Sequence, residues 1–210
     1  MASPRPTPAS TGRKSAYVAR NRAAILKAAQ HGLADIGPEV TVDQIAELAQ
    51  MSVSTLYMHF QDKEELFATA IQGAFTDWES WKDEQLVGIS DPLLRLIIPM
   101  RLYVRVASTH PLYANLIIRN HEMISRLLPK FSVEISKEVK SLVTSGKIVI
   151  DKPETRVLNL TAVLFAQLQQ QLLNPKRKIA EADEAIAIAL TMLGITENAA
   201  KKIMTAKLPI

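Results

Sequence analysis

The chain has 210 residues, 48% of them hydrophobic, a formal net charge of +4 and no cysteine. The lack of cysteine excludes a disulfide framework, a zinc–thiolate site and an iron–sulfur cluster, and with four histidines we expect no metal site. No apolar run approaches the roughly 18 residues of a membrane span, and the N-terminus carries no signal-peptide core. We therefore expect a cytoplasmic protein with no membrane partner.

Residues 1–19 are rich in Pro, Ser, Thr and Ala, which predicts a flexible arm. The N-terminus is also basic, since several cations precede the first acidic residue, Asp35: Arg5, Arg13, Lys14, Arg20, Arg22 and Lys27. Such a basic arm either lies along DNA phosphates or forms a solvated tail, and charge alone favours neither.

Three short helices and a longer one are predicted next. The first covers residues 20–35 and ends at Gly37-Pro38. Its apolar stripe has helical spacing and consists of Ile25, Ala29, Leu33 and Ile36. Thr41 and Gln44 have capping-box spacing, which predicts a second helix whose inward face is Val42, Ile45, Leu48 and Ala49.

A turn at Gln50-Met51 separates this helix from a third one. Ser52 is the expected N-cap of the third helix, with Leu56 and Phe60 pointing inward, and Asp62 is the expected cap of a fourth helix from Lys63. Two short helices joined by about three residues have helix-turn-helix spacing. The fold prediction is an all-α chain, in which a three-helix module over residues 20–67 precedes a larger helical bundle.

The bundle is predicted over residues 68–200, with a tail over 201–210. Proline and glycine punctuate it at Pro92, Pro111, Gly146, Pro153 and Gly194, which separates long helices. Arg101 and Arg105 lie one helical turn apart and could bind an anion, but we expect their charged ends to be exposed to solvent instead.

The segment from Ile45 to Phe60, IAELAQMSVSTLYMHF, and the DKEELF that begins at Asp62 closely resemble the DNA-binding module of TetR-family repressors. The TLY, HF and KE elements have the family's spacing, and the resemblance covers roughly residues 20–67. It implies a bacterial homodimer that binds double-stranded DNA at a palindromic operator and is released by an unidentified small-molecule effector bound in the C-terminal domain.

The resemblance assigns DNA contacts to the third helix and its surroundings. Residues matching Tyr57, His59 and Lys63 contact phosphates in similar proteins. The full predicted set is Arg22, Thr41, Ser52, Val53, Ser54, Thr55, Tyr57, Met58, His59 and Lys63. Val53 and Met58 stand where relatives often carry polar base readers, which predicts apolar contacts and reliance on phosphates. Gln50 stands where the family usually has glycine, and a positive φ there would cost about 1 kcal/mol.

Two further sets of residues are predicted in the bundle. Apolar stripes on the last two long helices predict a four-helix dimer interface of Val157, Thr161, Leu164, Leu168, Leu172, Ala185, Ala189 and Met192. Candidate ligand contacts, for which ordinary core packing is the alternative, are Trp78, Trp81, Tyr103, Tyr113, His121, Phe165 and Gln169.

Catalytic patterns are missing, so we expect neither an enzyme nor a cofactor. His121-Glu122 lacks a second histidine, because position 125 is serine, and Ser145-Gly146-Lys147 lacks a glycine-rich phosphate loop. Three classes stay open: a ligand-released repressor, an activator or partner-controlled regulator of the same fold, and a small-molecule-binding protein or enzyme with a vestigial helix-turn-helix.

Overall fold

The computed structural model describes residues 8–126 and 128–210, and every regular element in those ranges is helical. The all-α prediction is therefore confirmed. The chain divides into two compact units, one ending at Phe75 and the other running from Thr76 to Ile210. This boundary lies later than the one expected after residue 67. No helix in the described ranges combines the length and apolarity needed to cross a membrane.

The first unit contains three helices and the start of a fourth: α1 (Pro8–Asp35), α2 (Val42–Ala49), α3 (Val53–Tyr57) and α4 (Lys63–Gln85). The predicted flexible arm is wrong for residues 8–19, which are helical, while residues 1–7 lie outside the described chain. A helix already nucleated over its buried segment adds further turns at little cost, and proline fits a first helical position. Residues 14–20 of this extension are exposed.

The core of the first unit forms around the inner face of α1. Ile25, Ala29 and Leu33 are fully buried, as predicted, whereas Ile36 is 43% exposed beyond the end of the helix. The chain leaves α1 through Gly37, whose φ of 98° suits glycine. The Gln30 side chain donates to the Ala70 carbonyl at 3.0 Å and so joins α1 to α4.

The second unit takes the rest of α4, seven further α-helices and the short 3-10 helix Thr191–Leu193 in the described ranges. The seven α-helices are α5 (Pro92–Thr109), α6 (Pro111–Arg119), α7 (His121–Ser125), α8 (Leu128–Thr144), α9 (Pro153–Leu173), α10 (Ile179–Leu190) and α11 (Glu197–Met204). The main core joins α5, α8, α9, α10 and α11, and its fully buried side chains include Val104, Val139, Leu160, Ile186 and Leu193.

The tail predicted over residues 201–210 begins inside α11, so that prediction is wrong for residues 201–204. Thr196 starts the helix, because its hydroxyl accepts from the Ala199 amide at 3.3 Å. Ala200 is fully buried in the main core, and Ile203 packs against it. The apolar side chains of this helix therefore help to tie the C-terminal segment to the bundle.

A partly buried ion cluster holds α5 against α10. Arg105 donates to both carboxylate oxygens of Asp183, at 2.8 and 2.5 Å, and Arg101 donates to the same oxygens at 3.3 Å each. Arg101 also donates to the Ala206 carbonyl at 2.6 Å. Desolvation alone would raise the pKa of Asp183, but the two guanidinium groups hold it below its ordinary value. The arginines are not the exposed side chains expected from the sequence.

Candidate nucleic-acid interface and effector site

The start of α2 is fixed by the predicted capping box. The Gln44 amide donates to the Thr41 hydroxyl at 3.2 Å, and the Gln44 side-chain oxygen accepts from the Thr41 amide at 2.8 Å. Two amide protons that a helix end leaves unpaired are thereby satisfied. Ile45 is fully buried below them, whereas Leu48, predicted to face inward, is 54% exposed.

The turn between α2 and α3 is strained at one residue. Gln50 has φ 54° and ψ 43°, the left-handed region that favours glycine, at a cost of about 1 kcal/mol. Its amide donates to the Glu47 carbonyl at 3.0 Å, and the Met51 amide donates to the Ala46 carbonyl at 2.9 Å. The chain reverses in three residues and α3 begins at once.

The first turn of α3 carries three hydroxyls bonded to one another. Ser52 Oγ lies 2.8 Å from both Ser54 Oγ and Thr55 Oγ1, and it accepts from the Thr55 amide at 3.2 Å. A hydroxyl has one proton and two lone pairs, so Ser52 must donate to one neighbour and accept from the other. Two of the three hydroxyl protons are used inside this group, which leaves one to donate outside it.

Below this outer face, α3 is anchored by two apolar side chains. Leu56 and Phe60 are 1% and 3% exposed, as predicted, although α3 ends at Tyr57 and Phe60 lies in the turn that follows. Asp62 then caps α4, since its carboxylate accepts from the Glu65 amide at 2.7 Å. The side chains beside Leu56 are held at the surface by these anchors.

None of the ten predicted DNA contacts is buried. Tyr57 is 52% exposed and Met58 76%, while Thr41, Ser52 and Ser54 are also exposed. The half-buried members are Arg22, Val53, Thr55, His59 and Lys63.

Two of the cations are positioned by aromatic rings. The Arg22 guanidinium lies 4.7 Å from the centroid of Phe60, and the Lys63 ammonium lies 4.9 Å from that of Phe67. Lys63 also donates to the Pro38 carbonyl at 3.3 Å. These contacts restrict both long side chains before any anion binds.

In the second unit, three of the predicted ligand contacts form an aromatic cluster: Trp78, Tyr103 and Tyr113. Trp78 stacks on Tyr113 with centroids 5.7 Å apart and an interplanar angle of 7°, and Tyr103 meets Trp78 edge-on at 6.1 Å. Burial raises the pKa of both tyrosine hydroxyls above the ordinary value. The indole nitrogen of Trp78 is buried without a hydrogen-bond partner, which costs about 1–3 kcal/mol.

The other predicted ligand contacts lie elsewhere. Trp81 packs on His110, with centroids 4.5 Å apart. His121 is exposed and lies 6.4 Å from the half-buried Phe165, and Gln169 is half-buried on the same helix as Phe165. Exposure of His121 argues against an enclosed site around it.

The sequence did not single out Lys82, which lies over the Trp78 ring at 5.8 Å and pairs with Glu79 and with Asp83 at 3.4 Å. Lys82 lies four residues after Trp78, and residues four apart on a helix are neighbours, so the sequence spacing could have indicated this contact. Lys82 also lines a cleft of about 460 Å³, together with Leu86, Arg95, Leu96, Pro99 and Glu138. Lys82 therefore lies between this cleft and the aromatic cluster.

The predicted dimer interface divides into two sets. Val157, Leu164, Leu168 and Ala189 are at most 5% exposed inside their own chain, so they have almost no surface left for a partner. The interface prediction is wrong for these four, because the most apolar face of each helix turns to its own core. The other four flank an exposed face and are half-buried: Thr161, Leu172, Ala185 and Met192.

That exposed face carries large apolar side chains which the sequence reading missed. Leu158 and Leu173 on α9 are 64% and 66% exposed, and Ile188 on α10 is 56% exposed. At 100° per residue, Leu158, Phe165 and Leu173 project to one side of α9. Their recurrence at helical spacing on the face opposite the core was the available signal.

The chain is similar to known proteins both in the sequence of its first unit and in its fold. Residues 25–70 match the model of the family described as bacterial regulatory proteins, tetR family. No curated protein sequence matches the chain. RolR in complex with its ligand resorcinol is a similar solved structure, at 21% identity and a TM-score of 0.70 over 93% of this chain and 98% of RolR.

Two further solved structures are similar. A transcriptional regulator from Rhodococcus sp. Rha1 has 19% identity and a TM-score of 0.68 over 82% of this chain and 95% of its own. The fatty acid degradation regulator FadR from Bacillus halodurans has 15% identity and a TM-score of 0.67 over 82% and 94%. At these identities the likeness establishes a shared fold.

Proposed function

We propose that this chain, which belongs to the TetR family of transcriptional regulators, is a homodimeric repressor that binds a palindromic operator through α3 and leaves it when a small molecule binds the second unit. The observation that carries the proposal is the outer face of α3. Polar and apolar side chains that could meet base edges stand there over two buried anchors, Leu56 and Phe60.

Base readout falls to the side chains of α3. Val53 and Met58 offer apolar contacts, such as those to thymine methyl groups. The three bonded hydroxyls of the first turn, described above, have one proton left to donate. With so few directional contacts, affinity depends on phosphates. The Tyr57 hydroxyl, His59, Lys63 and Arg22 supply those contacts, and the exposed basic extension of α1 adds to them.

The homodimer forms through the exposed faces of α9 and α10. Leu158, Leu173 and Ile188 would be buried by a second copy, and an isologous contact between paired helices is the common arrangement for a twofold dimer. A dimer is also what the reading of a palindrome requires, since its two recognition helices must be spaced by about one turn of DNA, ~34 Å.

The effector site is the aromatic cluster around Trp78. Support comes from its convergent aromatic rings, its unsatisfied indole nitrogen and the cleft beside it. RolR, which shares the fold, binds resorcinol, a small aromatic molecule. Binding there would shift the second unit toward a state with lower affinity for DNA, and the coupling would be reciprocal.

Selection of bound DNA from a random pool tests this function, followed by affinity measurements at several salt concentrations. We expect a palindrome whose affinity falls steeply with salt. Tyr57→Phe should weaken binding about 10-fold at every sequence, because it removes a phosphate contact, and Val53→Ala should relax discrimination at particular bases.

Ser80→Ala is the matched control for loss of an exposed side-chain hydroxyl, because Ser80 lies on α4 in the second unit and donates to the Thr76 carbonyl. It should bind as wild type does. Recovery of no preferred sequence would refute the proposed function. If Val53→Ala weakened binding equally at every operator substitution, Val53 would not be a base reader.

A further inference from the structure

One hydrogen-bonding group in the aromatic cluster is left without a partner by the fold, and the ring next to it carries a hydroxyl. The Trp78 Nε1–H is buried and has no partner. Tyr103 is half-buried, and the burial of its ring raises the pKa of its hydroxyl above the ordinary value. The two rings meet edge-on at 6.1 Å, so both groups belong to one small region. Buried polar groups in folded proteins are normally paired, and an unpaired one needs a reason.

The aromatic rings that meet in this region come from three helices. Trp78 on α4, Tyr103 on α5 and Tyr113 on α6 present ring faces and edges within a few ångströms of one another. Aromatic walls favour a flat apolar molecule, which stacks or meets them edge to face. The chemistry of these rings therefore points to an aromatic ligand rather than a flexible chain.

The charge around the cluster selects against an anion. Lys82, the cation that lies over Trp78, is paired with Glu79 and Asp83. Arg101 and Arg105, on the same helix as Tyr103, both bind Asp183. A ligand carboxylate would have to break one of these pairs before it gained a partner.

We propose that the effector is a neutral aromatic molecule carrying a hydrogen-bond acceptor oxygen, which the indole N–H of Trp78 recognises with the Tyr103 hydroxyl as a second contact. An indole N–H can only donate, so the ligand must supply an acceptor. The tyrosine hydroxyl donates or accepts, so an aryl ketone or a phenol fits equally. The inference rests on the proposed function for the location of the effector, and it adds the ligand's chemistry.

Pairs of probes that differ by one oxygen test the inference. Acetophenone and α-methylstyrene have the same shape, but the second replaces the carbonyl oxygen with a methylene group, and phenol and toluene form a second pair. Binding to the full-length protein is measured by calorimetry. We expect each oxygen-bearing probe to bind at least 10-fold more tightly than its partner, because it satisfies the buried indole N–H.

Single-residue variants test which side chains cause the preference for oxygen-bearing probes. Trp78→Phe should abolish it, whereas Trp81→Phe should keep it, because Trp81 packs on His110. Tyr103→Phe removes only a hydroxyl and should reduce the preference, so it remains informative if Trp78→Phe folds poorly. Equal binding within both probe pairs, no binding of any probe, or an unchanged preference in Trp78→Phe would each overturn the inference.

Operator binding without probe separates the two proposals. If the wild-type protein binds its selected DNA but shows no preference within either probe pair, only the ligand chemistry is refuted. A preserved preference in a protein that selects no DNA refutes the proposed function and leaves the binding chemistry standing. Wild-type protein that releases DNA with acetophenone but not with α-methylstyrene supports both.

Discussion

Replacement of Gly32 with alanine should destabilise the first unit, although Gly32 lies inside α1 and alanine is the better helix former. A Cβ built on Gly32 would lie 2.8 Å from Val40 Cγ2 and 3.7 Å from Ile45 Cγ1. Val40 is fully buried, so its methyl group has nowhere to move without shifting the segment that leads to α2.

Two opposing terms set the size of this effect. Helix propensity favours alanine over glycine by about 1 kcal/mol. Overpacking a core by one methyl group costs about 1–3 kcal/mol. We expect a net loss of about 1 kcal/mol for Gly32→Ala. In a Val40→Ala background the clashing methyl is gone and the new Cβ would fill part of the hole, so the same substitution should stabilise by about 1 kcal/mol.

Urea denaturation of the four proteins in this cycle measures the coupling, which we expect at about 2 kcal/mol. Both tryptophans, Trp78 and Trp81, lie in the second unit, so their fluorescence follows that unit, while far-UV circular dichroism follows both. Protein concentration must be equal throughout, because a dimer's stability depends on it. A higher midpoint for Gly32→Ala alone, or equal effects in both backgrounds, would refute the packing argument.

Two more predictions concern the second unit. Asp183→Asn should destabilise it by about 2–3 kcal/mol at neutral pH, somewhat less than loss of a fully buried partner, because the Asp183 side chain is 18% exposed. The pKa of Asp183 is lowered in the folded state, so the contribution of its carboxylate to folding stability is complete above the ordinary pKa and is lost as the pH falls through the lowered pKa. The difference in urea midpoint between wild type and variant should therefore shrink in acid. A difference that stays constant or grows in acid would contradict this. Leu158→Glu should weaken the proposed dimer at least 10-fold in analytical ultracentrifugation, while Val149→Glu, at a residue 87% exposed outside α9 and α10, should not. Equal effects of the two glutamates would count against the α9 face.

The local features of the first unit could be predicted because short-range chemistry determines them. Thr41, Ser52 and Asp62 are caps in the structure, since a side-chain oxygen a few residues before an unpaired amide suffices. The family's usual glycine at the position of Gln50 marked it as one where a positive φ could occur, and the structure has φ 54° there. The four-residue spacing of Leu56 and Phe60 predicted correctly that both side chains are buried.

Features that depend on long-range packing could not be predicted in the same way. Val157 and Leu168 lie on the most apolar face of α9, and sequence periodicity cannot say whether such a face meets its own bundle or another chain. The aromatic residues were chosen by type alone, and only contacts between distant segments separated Trp78 and Tyr103 from His121. Residues 8–19 have a polar composition typical of arms, and continuity with a packed helix decides their conformation.

Because α1 is one continuous helix, a movement of its buried segment also moves its exposed N-terminal end. Lys14 is exposed and Ile25 is fully buried in the same helix, about 16 Å further along at 1.5 Å per residue. A tilt of the helix by about 10° around its buried segment would displace Lys14 by about 3 Å, enough to break a contact with a phosphate. Small rearrangements in the core of the first unit would thus be amplified at its basic N-terminal end, which a flexible arm could not do.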